Sequence, residues 1–301
     1  MTSGKEEEGI ALASVSAPPA AQLKVHLPEE PLVVIGQTKP WVALNLGDLW
    51  NYRELIYFLA WRDVKVRYKQ TLFGVLWVVM QPALMTIIFT IFLSRIARVP
   101  SLGQVPYPIF AYSGLLLWTF FSSAVSAGGQ SLVGNAHLIT KIYFPRLIIP
   151  CAVIAGRLVD LLISIMLMSI LMFYYRIQLT RSMMLAPIFV VLIVLLTLGF
   201  SMLTSALSVK YRDLGIALPV LIQLWMFVSP VVYPLSMVPA EWQRLYALNP
   251  LVGIIQGFRS ALFNYPINRW ALLVSAVVTI VLLVYSAFLF RRIERGFADF
   301  V

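Results

Sequence analysis

Two ionisable side chains, Arg157 and Asp160, sit three residues apart inside the otherwise apolar run 147–175. On a helix that spacing puts them on one face, where opposite charges neutralise each other. A structural or gating pair fits better than a proton relay, because proton-coupled transport uses more buried titratable groups and His26 and His137 both fall outside the apolar runs. Catalytic signatures are missing: the sequence holds no G-x-x-x-x-G-K-[ST] phosphate loop, no Ser/His/Asp or H-E-x-x-H arrangement and no metal-ligand cluster. Cys151 is the single cysteine, so no disulfide can form within the chain, and it reads as a small apolar residue. A chain with this inventory is no enzyme, carries no cofactor of its own, and must borrow energy if it transports anything.

Aromatic residues form a second constellation. Tyr112, Trp118, Phe120 and Phe121 cluster in the run 107–127, and Trp225, Phe227 and Tyr233 in 214–233. Aromatic faces stack on the C–H surface of sugars and leave hydroxyls to water, so Trp118 and Phe121 are candidates for lining a channel in which a glycan slides. Interfacial aromatic belts and plain packing compete with that reading, and a belt is the preferred one for Tyr112 and Tyr233.

These residues are positioned by six apolar runs, 72–93, 107–127, 147–175, 183–209, 214–233 and 270–290. A hydrocarbon core of about 30 Å needs about 20 helical residues, and only a helix satisfies its own backbone there. With 60% hydrophobic and 12% charged residues, the chain cannot hide its apolar surface in a soluble domain. The expected fold is therefore an all-α integral membrane protein with six transmembrane helices over 72–290. The net charge of +10 comes from cations at span ends, which report orientation and no nucleic-acid surface. Lys65, Lys69, Lys141 and Lys210 share a side with Arg62, Arg67, Arg146 and Arg212, and this side outweighs the one with Arg95, Arg98, Arg176 and Arg181. The bias places both termini in the cytoplasm.

Residues 1–48 read as a cytoplasmic tail, partly disordered and without a signal peptide, with a possible strand at 32–35. Residues 49–71 read as an amphipathic interfacial helix, with Tyr57, Trp61, Val64 and Tyr68 as its apolar stripe and Arg62, Lys65 and Lys69 to one side. Such a helix anchors on membrane lipids or docks a protein. The connection 128–146 is patterned for a short helix, and Phe144-Pro145-Arg146 ends it. Between spans five and six, 234–269 is apolar but broken by Pro239 and by Asn249-Pro250, which suggests short re-entrant gate helices or a stabilising cap. Residues 291–301 form a cytoplasmic tail.

The stretch 50–82, WNYRELIYFLAWRDVKVRYKQTLFGVLWVVMQP, with Arg62-Asp63, Arg67-Tyr68, Gly74, Trp77 and Pro82, resembles the opening of type-2 ABC-exporter permeases for O-antigen, capsular or teichoic-acid polymers. The likeness continues through Lys141, Phe144-Pro145-Arg146, Pro150, Arg212-Asp213, Ser229-Pro230, Tyr233, Asn249-Pro250 and Arg259, and covers about residues 32–290. What the resemblance implies is a half-transporter in the bacterial inner membrane. A second copy of the chain completes the channel, and two copies of a separate ABC ATPase bind ATP and Mg2+ and drive it. Arg62, Lys65, Lys69, Lys141 and Arg146 become ATPase-coupling residues, and Asn249, Pro250 and Arg259 lie in the gate. The substrate is a lipid-linked polysaccharide taken from the inner leaflet by its pyrophosphate head. A permease for a drug or small lipid shares these features. An ion-coupled secondary transporter would show internal repeats, which the sequence lacks, and a passive scaffold would leave the gate segment unexplained.

Overall fold

The computed structural model describes residues 46–69, 74–96, 105–141, 144–211 and 213–294. The expected strand at 32–35, most of the N-terminal tail, Arg212 and the chain beyond Glu294 lie outside the described residues. Two helices, α1 (Leu46–Asn51) and α2 (Arg53–Lys69), precede α3 (Leu76–Phe89), which runs on into a π-helical stretch, Thr90–Ile96. Next come α4 (Tyr107–Gly129), the short α5 (Ser131–Gly134) and α6 (Ala136–Lys141), and α7 (Ile148–Tyr174). A 3-10 turn, Arg181–Leu185, leads into α8 (Ala186–Lys210), followed by α9 (Leu214–Phe227), α10 (Ala240–Tyr246), α11 (Pro250–Phe263) and α12 (Arg269–Glu294). No strand occurs among the described residues.

Proline punctuates these helices where its missing N–H is harmless. It lies in the first turn of α4, α8 and α11, where the fixed φ suits a helix start. Pro82 inside α3 and Pro219 inside α9 are the exceptions, and in α3 Thr86 and Thr90 return hydroxyl hydrogen bonds to the carbonyls of Pro82 (2.7 Å) and Thr86 (2.6 Å).

Five stretches are long and apolar enough to cross a membrane: Leu76–Ser94, Tyr107–Gly129, Ile148–Tyr174, Arg181–Lys210 and Arg269–Glu294, among the described residues. The expected run 214–233 differs. It is helical only through Phe227, and 14 residues at 1.5 Å each reach about 21 Å, short of about 30 Å. Pro230 has no N–H to continue the ladder and disfavours helix at Ser229, so the chain leaves α9 as an irregular segment over 228–234.

The helices pack around two apolar clusters. The larger joins α4, the second half of α7, the first half of α8, and α11, with Phe110, Phe121, Ile193, Ile254 and Ile255 fully buried. The smaller gathers at the opposite end, where Leu59 of α2, Leu132 of α5, Ile148 at the start of α7, Ala206 near the end of α8 and Phe290 of α12 meet. The surface helix, both short connecting helices and the ends of three long helices therefore share one end of the bundle. The expected stripe on α2 is split: Leu59 and Ala60 are buried, Val64 and Tyr68 half-buried, while Tyr57 and Trp61 stand exposed. The packed face follows Ile56, Leu59, Ala60, Asp63, Val64 and Arg67, one residue round from the expected stripe, because Gly156 of α7 receives Ala60 and Val64.

Candidate functional site

The turn from α2 into α3 passes through Gly74, whose φ of +48° is left-handed and ill suited to a side chain. α3 lies beside α7 and α4, and the three helices with the end of α2 enclose a polar cleft of about 240 Å3. Asp160 is its centre. Arg67 Nη1 lies 2.5 Å from Asp160 Oδ2, the Tyr68 hydroxyl donates to Asp160 Oδ1, and Arg157 Nη1 sits farther off at 3.4 Å from Oδ2. The carboxylate thus belongs first to the surface helix, and the expected Arg157–Asp160 pair is the weaker limb of a four-residue network joining α2 to α7. Burial and the Asp160 hydrogen bond push the Tyr68 phenol up to about 12, so it stays a donor across the physiological range.

At the same end, Arg62 donates to Asp63 (2.8 Å) and to Asn135 Oδ1 (3.1 Å), tying α2 to the link between α5 and α6. Arg146 donates its backbone N–H to Glu294 Oε1 (3.1 Å) and its guanidinium to the Glu294 carbonyl (2.9 Å), closing the connection onto α12. Lys65, Lys69 and Lys141 are exposed. Of the five coupling candidates, two are structural ties and three present charge outward.

At the opposite end, Asn249 caps α11 by accepting from the Leu251 N–H (3.1 Å), and its Nδ2 reaches back to the Val228 carbonyl (3.1 Å) and Ser229 Oγ (2.9 Å). Pro250 and almost all of α11 are buried, so this helix is core, not a surface flap; α10 is the exposed piece. Arg259 is only 2% exposed. Its Nε donates to Ser113 Oγ (3.1 Å), Nη1 to the Pro230 carbonyl (2.7 Å), and Nη2 to the carbonyls of Phe110 (3.1 Å) and Val231 (2.5 Å), while its carbon centre sits 3.7 Å from the Phe110 ring centroid. Neutral oxygens and a π-face take the place of a counter-ion. Arg259 is thus a buried ionisable group apart from Arg157 and Asp160. Gly114 makes the approach possible, since a methyl there would overlap both the Val231 carbonyl and the Arg259 guanidinium.

The aromatic candidates pack inside the chain. Phe121 is fully buried and meets Phe200 and Trp225 edge-on, each at 5.6 Å between centroids, and Trp118 lies tilted 5.9 Å from Phe121. Phe200 and Trp225 are themselves 5.0 Å apart, so the group binds α9 to α4 and α8. Stacking on a sugar needs an open ring face, and in this chain neither Trp118 nor Phe121 offers one. Tyr112 is likewise packed inside the chain: it is 1% exposed and donates to the Ser164 carbonyl (3.0 Å).

The family model for the ABC-2 type transporter matches residues 54–263, which includes the α2–α7 network, the cleft and the Arg259 site. The chain belongs to the ABC-2 type transporter family. Relatives extend the match along most of the chain. The O-antigen export system permease protein RfbA of Myxococcus xanthus is 30% identical over 256 residues, 84% of this chain and 97% of that protein. A protein of the same name from Klebsiella pneumoniae is 28% identical over 257 residues, 85% of this chain and 96% of its own. The polysialic acid transport protein KpsM of Escherichia coli is 25% identical over 244 residues, 78% and 92% of the two chains. As an ABC-2 type transporter the chain is a multi-pass membrane protein, in keeping with the five long apolar helices among the described residues. Sequence reasoning grouped Arg67 and Tyr68 with the cations and aromatics of a surface helix and missed their role as Asp160 partners; the Arg67-Tyr68 motif was the available signal. For Arg259 the signal was a lone charge in an otherwise uncharged helix.

Proposed function

We propose that the chain is the membrane-channel subunit of an ATP-driven exporter that moves a lipid-linked polysaccharide across the bacterial inner membrane. Two copies form the pathway, and two copies of a separate ATPase hold ATP and Mg2+ and supply the energy. The observation that carries the reading is the nearly end-to-end likeness to proteins named for O-antigen and polysialic acid export, which covers 92–97% of those chains. The cation bias supports cytoplasmic termini, with 234–269 on the outer side.

The arrangement suits borrowed energy. Exposed Lys65, Lys69 and Lys141 give an acidic partner surface three points of contact at the end of the bundle where α2, α6 and the close of α12 converge. Displacement of α2 by the partner passes to α7 through Arg67, Tyr68 and Asp160, and to the α5–α6 link through Arg62 and Asn135. α11, locked by Asn249 and Arg259, closes the other end.

Charge reversal of Lys65 and Lys141 tests the coupling face. The double variant folds, loses co-purifying ATPase or loses the link between hydrolysis and export, and leaves Arg62 and Arg146 in place. Full ATPase retention with unchanged export would remove these lysines from the interface.

A further inference from the structure

The polar cleft holds more positive charge than its contacts use. Arg67 and Arg157 face a single carboxylate, Asp160. Arg67 and Tyr68 occupy that carboxylate at close range, which leaves Arg157 with one long 3.4 Å contact, and its Nε is buried with no hydrogen-bond partner. A buried donor without an acceptor costs about 1–3 kcal/mol, so a guanidinium left this way is poised for an acceptor that is not part of the chain. Around it lie hydroxyls that can turn: Ser122 and Ser123 spend theirs on long bonds of 3.3 and 3.2 Å to carbonyls of their own helix.

Size and position narrow the acceptor. At about 240 Å3 the cleft lies below the about 300–1,000 Å3 of pockets that enclose a drug-sized molecule, so it takes a headgroup and not a sugar chain. Its rim is Trp77 and Gln81 on α3, both exposed in the single chain, and α3 is the least buried of the five long apolar helices. A ligand whose remainder stays in lipid can therefore reach the cleft sideways. Guanidinium forks bind phosphate oxygens bidentately and are the side chains best matched to that geometry.

We propose that the cleft between α2, α3, α4 and α7 binds the phosphate of a membrane lipid headgroup, held by Arg157 with Arg67 and the Ser122 and Ser123 hydroxyls. Asp160 is the internal competitor that keeps both arginines in place when the cleft is empty. The export reading enters only in naming one source of the phosphate, a lipid-linked substrate, the other being ordinary anionic phospholipid.

The test uses the full-length chain purified with its ATPase into phosphatidylcholine nanodiscs doped with farnesyl diphosphate or with phosphatidylglycerol, and native mass spectrometry to count retained lipid. Wild type retains a doped lipid, and Arg157→Gln lowers its affinity about tenfold or more, the worth of a charge-assisted hydrogen bond. Asp160→Asn keeps the shape, removes the competing charge and tightens retention severalfold, a sign that a purely structural ion pair does not produce. Retention of farnesyl diphosphate alone assigns the site to a diphosphate lipid, and retention of phosphatidylglycerol assigns it to bulk phospholipid. Equal retention by wild type and folded Arg157→Gln overturns the proposal, as does weakening by Asp160→Asn to the level of Arg157→Gln. Should the glutamine variant not fold, Arg157→Lys carries the test, with at least threefold weaker retention expected from loss of the fork and unchanged retention refuting the site. A complex that retains neither lipid yet exports glycan with ATP loses this site and keeps the export reading, and retention without export does the reverse.

Discussion

Replacing Arg259 by methionine keeps most of the buried stem and removes every hydrogen bond that the guanidinium makes. Four acceptors lose a donor: Ser113 Oγ and the carbonyls of Phe110, Pro230 and Val231. The Phe110 carbonyl still receives the Ser113 hydroxyl at 2.7 Å, so the burden falls on Pro230 and Val231, which lie outside any helix. Two buried carbonyls left unsatisfied cost about 2–6 kcal/mol. Part of that returns because a cation no longer has to be desolvated, and the net loss is about 2–4 kcal/mol. Against a domain stability of about 5–15 kcal/mol this is large. Thermal unfolding of the purified protein in detergent should fall by about 5–15 °C, with Arg259→Lys intermediate because it keeps the charge and fewer donors. A methionine variant that melts within about 2 °C of wild type would refute the claim that Arg259 ties α11 to the segment after α9.

Gly114→Ala drives a methyl into the same site and should lower the melting temperature comparably; combined with Arg259→Met its effect should be less than additive, measured as a double-mutant cycle. Asp160→Ala should free α2 from α7, seen as faster hydrogen exchange over residues 53–69 with α8 and α12 unaffected; unchanged exchange would make the network incidental. The α2–α7 contact should be insensitive to pH from 6 to 9, because the raised Tyr68 pKa favours the protonated phenol: its contribution is complete below the ordinary value of 10 and is lost as pH climbs through about 12. Phe121→Ala should destabilise the fold by about 3–5 kcal/mol, read by thermal unfolding, since the ring is enclosed by Phe200 and Trp225; a fully stable variant with impaired export would return Phe121 to a channel wall. Cysteine at Gln243 in a Cys151→Ala background should react with an impermeant thiol reagent from outside the cell, and labelling only after the inner face is opened would invert the topology.

The long helices were legible because bilayer length demands about 20 apolar residues in a row, and 107–127, 147–175 and 270–290 supply them without ambiguity. The run 214–233 was overread for the same reason: hydropathy weighs Val231 and Val232 as membrane residues, while Pro230 ends the helix and Val232 instead accepts from the Tyr107 hydroxyl at 2.7 Å. Periodicity placed one helix over 49–71, where the chain divides at Tyr52 into α1 and α2, and set its face one residue out of register, since Tyr57 and Trp61 count as apolar whether they meet protein or lipid. The site residues were the least readable. Arg67 and Tyr68 lie more than 90 positions from Asp160, and Arg259 finds its acceptors 28 to 149 positions away; such pairings are set by packing and leave only a lone charge in an apolar helix as a local trace.

In the function proposed above, this chain moves a glycan only while a partner hydrolyses ATP. Vesicles holding the chain with its ATPase, loaded with lipid-linked polysaccharide on the ATPase side, give a direct reading through the appearance of polymer on the far side. Export should require ATP and stop when the partner's phosphate loop is disabled, with the complex still assembled. Polymer that crosses without hydrolysis, or in proportion to an imposed ion gradient, would rule out an ATP-driven permease.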